Sequence, residues 1–74
     1  MDIKEIISLK NARPFIPFAL VMADGREFEV SHPDFMARSP LGRSVSLYDA
    51  VGVHYLDVRL IAELRHSESS SQPE

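Results

Sequence analysis

The chain of 74 residues contains no cysteine. That removes disulfides and thiolate metal sites, the two commonest staples of a very small fold. Efficient packing or oligomerisation must hold it instead, because a chain this short buries only about 60% of the surface its unfolded form exposes. No apolar run approaches the roughly 20 residues needed to span a bilayer. The opening "MDIKEIISLK" sets acids and lysines among its apolar positions and lacks a signal-peptide core, so a cytoplasmic location is expected. A basic surplus is missing too: 8 Lys and Arg against 11 Asp and Glu give a net charge of −3. Phosphate neutralisation supplies much of the affinity of nucleic-acid binders, so the balance argues against generic nucleic-acid binding and leaves room only for a local basic patch.

What is present is the composition of one globular domain over residues 1–66, with 45% hydrophobic and 26% charged residues. Residues 2–12 read as a short amphipathic helix. Asp2 stands at the cap, Glu5 follows at capping-box spacing, and Ile3, Ile6 and Ile7 share a face. A helix of this length is not stable alone in water, so its isoleucines must dock on the rest of the fold. Pro14 closes the segment.

"FALVMADGREFEV" is the strongest local signal. Asp24-Gly25 fits a two-residue type I′ turn between strands at about 17–23 and 26–31. In that register Ala19, Val21, Phe28 and Val30 form the core face, while Leu20 and Met22 point outward and need a cover. A second hairpin is expected over 43–49 and 53–58 with Val51-Gly52 as its turn. It places Val45 opposite Val58, Leu47 opposite Leu56 and, on the other face, Tyr48 opposite Tyr55. "RLIAELRH" reads as a tight turn and a last strand at 62–66, with a continuous helix as the alternative. The polar tail 67–74 is expected to be disordered. The fold class is mainly β with one N-terminal helix: a five-stranded, strongly bent antiparallel sheet or small barrel, which would remove exposed sheet edges.

This layout resembles the small barrels of the SH3-like group, and within it the Sm-like family, through "ADGREFEV", "DFM" and "YLDVRLIAEL". The Sm signature carries Met-Asn in an RNA-contacting loop; here Met36 is followed by Ala37, and Arg59 is followed by Leu60 where that family has Arg-Gly. "ARPFIPF", "DGR", "HPDF" and "GRSV" in that order are also similar to a group of short bacterial proteins of unknown function. The first resemblance implies RNA binding; the second implies no activity.

Candidate chemistry concentrates in "SHPDFMARSP". Ser31 or Ser39, His32 and Asp34 are the parts of a hydrolase triad. Residues crowded into four positions rarely reach triad geometry, and Pro33 instead favours the first position of a helical turn capped by His32 or Ser31. A structural corner is expected, and no catalytic role. His32, His54 and His66, with Asp34, Asp49 or Asp57, show no metal-ligand spacing, and Asp49 with His54 reads as a cross-strand ion pair. Neither a metal nor a cofactor is expected. Arg26, Arg38, Arg43 and Arg59 are the candidates for contact with an anion or RNA. Leu20, Met22, Tyr48 and Tyr55 are the candidate interaction surface, because large apolar groups on an outer face mark a partner site. The expectation is a non-enzymatic interaction or assembly module that forms a homo-oligomer or binds another protein, with no membrane partner. The alternative is Sm-like RNA binding.

Overall fold

The computed structural model describes residues 2–66; the tail 67–74 lies outside the described residues. One helix, α1 (Ile3–Lys10), precedes six strands: β1 (Phe18–Met22), β2 (Glu27–Val30), β3 (Met36–Arg38), β4 (Ser44–Tyr48), β5 (Val53–Asp57) and β6 (Ile61–His66). The strands form two three-stranded antiparallel sheets, ordered β2-β1-β6 and β3-β4-β5. This corrects the expected single five-stranded sheet or closed barrel. The chain passes between the sheets twice, each time through a single 3-10 turn, at Pro33–Phe35 and at Val58–Leu60.

The local causes are plain in the residues. The Asp2 carboxylate caps α1 by accepting from the Lys4 N–H at 3.0 Å, and the helix stops at Lys10, ahead of Pro14 and its cis peptide bond. Both 3-10 turns carry a side-chain cap of the same kind. His32 Nδ1 accepts from the Asp34 N–H, and Asp57 Oδ1 accepts from the Arg59 N–H. The last strand therefore begins after a turn, as one of the two sequence readings had it. β3 was not expected: "MAR" is too short to carry a strand period, and it forms because Met36 pairs with Leu47 in the ladder with β4.

The first hairpin differs from its expected register by one residue. Gly25 N–H donates to the Met22 carbonyl and Met22 N–H to the Arg26 carbonyl, so Ala23–Gly25 form a three-residue loop with Gly25 at φ +94°. A left-handed residue closing such a loop is where glycine is favoured. Leu20 then pairs with Phe28, and Phe18 with Val30. A one-residue slip turns a whole strand over. Leu20 and Met22, expected on the outside, are 0% and 3% exposed, whereas Val21 lies on the other face beside Glu27 and Glu63.

The second hairpin is displaced by two residues. Asp49 N–H donates to the Gly52 carbonyl, which makes Ala50-Val51 the turn and pairs Val45 with Leu56. An even shift preserves the faces, so Val45, Leu47 and Leu56 still point inward. They meet Phe18, Leu20, Met22, Val30 and Ile61 of the first sheet, with Ile6 of the helix sealing the core. A bulge between Val21 and Met22 in the β1–β6 ladder lets Ile61 and Leu64, three positions apart, share the inner side.

Candidate interaction surface

The two outer sheet faces have opposite characters. On the first sheet, Ala19 and Val21 of the central strand lie between Glu27 and Glu29 on one side and Glu63 and Arg65 on the other. Arg65 reaches across β1 to form an ion pair with Glu27. That is a charged face, beneath which Ala19 is itself buried at 8% exposure. On the second sheet the corresponding positions are Ser46 and Tyr48 of β4 and Val53 and Tyr55 of β5. Tyr48 is 55% exposed, Val53 47% and Tyr55 80%. No charge interrupts these residues until Asp57 at the end of β5.

Of the four residues expected to form an interaction surface, the structure thus leaves Tyr48 and Tyr55 outside and takes Leu20 and Met22 into the core. The tyrosines are not directly opposite, because the turn at Ala50-Val51 pairs Tyr48 with Val53 and Tyr55 with Ser46. They remain diagonal neighbours on one face, within reach for aromatic side chains. Val53 was missed, since in the expected register it lay beside the turn. Phe35 is 45% exposed. It packs against His32 with ring centroids 5.5 Å apart and the planes tilted by 44°, and with Tyr48, Glu29, Ser31 and Asp49 it lines a notch of about 270 Å³ between the two sheets.

The four arginines do not converge into one patch. Arg26 pairs with Asp24 at 2.9 Å and lies 5.5 Å from the centroid of the Phe28 ring. Arg59 pairs with Asp57 at 2.8 Å. Hydrogen bonds from the Arg59 guanidinium and from its backbone N–H hold the Asp57 carboxyl down at about 2. Arg43 joins Arg59 along a groove of about 460 Å³ shared with Asp2, Asp57 and Gly42. Arg38 and Arg43 are exposed, and neither makes an ion pair among the described residues.

"SHPDF" forms the corner expected of it. His32 uses Nδ1 to accept the Asp34 N–H at 3.1 Å, and the Asp34 carboxylate stands 3.9 Å from the same nitrogen. The imidazole is thus occupied as a cap. Ser39 is engaged elsewhere: its Oγ accepts from the N–H groups of Arg43 and Ser44 at 3.1 and 3.2 Å, fixing the loop between β3 and β4. Among the described residues no group of three or more His, Asp and Glu side chains is gathered closely enough to hold a metal ion.

The expected contact between Asp49 and His54 forms as a hydrogen bond of 2.8 Å between Oδ2 and Nε2. Its position explains more than its energy, since Asp49 also accepts from the N–H groups of Val51 and Gly52 at 2.8 and 3.0 Å. Those backbone donors, Gly52 first, and then His54 hold the Asp49 carboxyl below its ordinary range. The His54 ring in turn lies 5.0 Å from that of Phe28, so the turn of one sheet is tied to a strand of the other. No family model matches this chain, and no curated protein or solved structure matches it either. Among the described residues no helix is long and apolar enough to cross a membrane.

Proposed function

We propose that this protein is a small non-enzymatic binding module that self-associates through the outer face of β4 and β5. The observation that carries the reading is the contrast between the two outer faces: Tyr48, Val53 and Tyr55 stand exposed and free of charge, while the equivalent positions opposite are ringed with glutamates. Exposed aromatic groups with little intervening charge are what the centre of a protein–protein interface is made of. A chain with so few core residues also gains stability when a second copy removes apolar surface from water. Sm-like RNA binding draws less support, because Arg26 and Arg59 already spend their charge on Asp24 and Asp57.

The test is a dilution series followed by backbone amide NMR. The reading predicts concentration-dependent shifts confined to residues 46–48 and 53–55. Shifts confined to α1 or to the outer face of β1, or none at all up to high micromolar concentration, would overturn it.

A further inference from the structure

Among the described residues the two sheets leave β2, β6, β3 and β5 at an edge. An open edge presents a row of unpaired backbone groups, and proteins guard it with charge, shortness or a bulge. β2 carries Glu27 and Glu29 on alternate positions. β6 carries Glu63 and Arg65 and is bulged in its ladder with β1. β3 is three residues long and ends in Arg38. β5 has none of these guards. It keeps a regular register along five residues, holds no Lys or Arg, and has its one carboxylate, Asp57, at its end, bound by Arg59.

The backbone bonds at the two ends of the β4–β5 ladder fix what that edge offers. Asp49 N–H donates to the Gly52 carbonyl and Val58 N–H to the Arg43 carbonyl. Antiparallel ladders alternate, so His54 and Leu56 turn their backbone groups toward β4, while Val53, Tyr55 and Asp57 turn theirs to the open side. Asp57 is the cap of the turn Val58–Leu60, so its carbonyl belongs to that turn and its N–H faces outward. Tyr55, at the centre of the strand, is 80% exposed.

We infer that the open edge of β5 pairs antiparallel with the same edge of a second copy, about a twofold axis at Tyr55. In that register the two Tyr55 residues exchange N–H and carbonyl, and each Asp57 N–H reaches the Val53 carbonyl of the other copy. The outward donors and acceptors of the strand thus complement themselves, as an isologous contact requires. No carboxylate meets another: Asp57 falls opposite Val53, and His54 opposite Leu56. The two Tyr55 rings become cross-strand neighbours, a favourable aromatic pair. The inference rests on the self-association proposed above and gives it an arrangement, side by side, in which Tyr48, Val53 and Tyr55 of both copies form one continuous stripe across a six-stranded sheet. A contact of one strand per copy belongs with small, reversible interfaces.

Amide hydrogen exchange over a concentration series tests it, read beside light scattering. The inference predicts that the Tyr55 and Asp57 amides exchange freely in dilute protein. They slow about tenfold once roughly nine chains in ten are paired, because exchange then runs through the free fraction. The His54 and Leu56 amides, bonded to β4, are protected at every concentration. A second arm uses the residue that faces itself. Tyr55→Lys and Tyr55→Glu, each verified as folded by circular dichroism, are expected to be monomeric alone at high micromolar concentration and to dimerise when mixed equally at low salt. A mixture that stays monomeric overturns the register about Tyr55. Wild-type association with Tyr55 and Asp57 amides as fast as in the dilute protein overturns the edge pairing and leaves the sheet-face reading standing. A wild-type chain that stays monomeric overturns both readings and leaves the edge to a strand of another protein.

Discussion

Replacing Leu20 by alanine removes three carbon atoms from a side chain that is 0% exposed and paired with Phe28 on one side and Leu64 on the other. The transfer term alone is about 2.4 kcal/mol at about 0.8 kcal/mol for each buried methylene. The residual cavity brings the expected loss to about 3 kcal/mol, inside the range of roughly 2–5 kcal/mol typical of buried leucines. Domains of this size hold only about 4–11 kcal/mol in total, so the variant is left close to its unfolding transition. With a urea slope of about 1 kcal/mol per molar for a small protein, the midpoint falls by about 3 M. Leu20→Val, losing a single methylene, shifts it by about 0.8 M and provides a folded reference. Val21→Ala, one residue on but on the glutamate-lined face, costs less than about 1 kcal/mol. The assay is urea denaturation followed by circular dichroism, comparing midpoints at constant slope. A larger effect at Val21 than at Leu20 would refute the three-residue turn and restore the two-residue register, in which the two side chains exchange places.

Further expectations concern backbone strain and acid stability. Gly42 sits at φ +72°, and a Cβ there would approach Ile3 Cγ2 to 3.1 Å, so Gly42→Ala combines left-handed strain with pressure on the helix; a loss of about 1–2 kcal/mol is expected in the same urea assay. An unchanged midpoint would mean that the helix does not rest on this loop. Asp57, whose carboxyl is held down at about 2 against an ordinary 3.8, binds its proton more readily in the unfolded chain than in the folded one. Its contribution to stability is therefore present above the ordinary carboxylate range and is lost as the pH falls through about 2. Asp57→Asn should flatten the decline of the thermal midpoint across that acid window, and a wild-type slope in the variant would contradict the assignment.

How much of this was legible in the residues depended on whether an error preserved parity. The cap at Asp2 and the corner at His32 and Pro33 were readable because they are local: one side chain, one backbone N–H and one proline decide them. The inward set Val45, Leu47 and Leu56 survived a wrong turn because a shift of two leaves every side chain on its own face. Leu20 and Met22 did not survive, because Asp-Gly closes a two-residue loop and a three-residue loop equally well, and those alternatives differ by one position. Side-chain size carried the missing signal: burying Phe18, Leu20 and Met22 removes more apolar area than burying Ala19 and Val21. The notch was not legible at all. It joins Glu29 and Ser31 to Tyr48 and Asp49 across two sheets whose relative placement no local pattern encodes.

The reading as an association module comes down to one mass. Light scattering on the wild-type chain and on the double variant Tyr48→Ser with Tyr55→Ser, each over a concentration series, measures it directly. The expected result is a wild-type mass that rises above the 8.3 kDa of the single chain, and a folded double variant that stays at that value throughout. A wild-type chain that remains at 8.3 kDa at every concentration, or a double variant that associates as well as the wild type, would contradict the account.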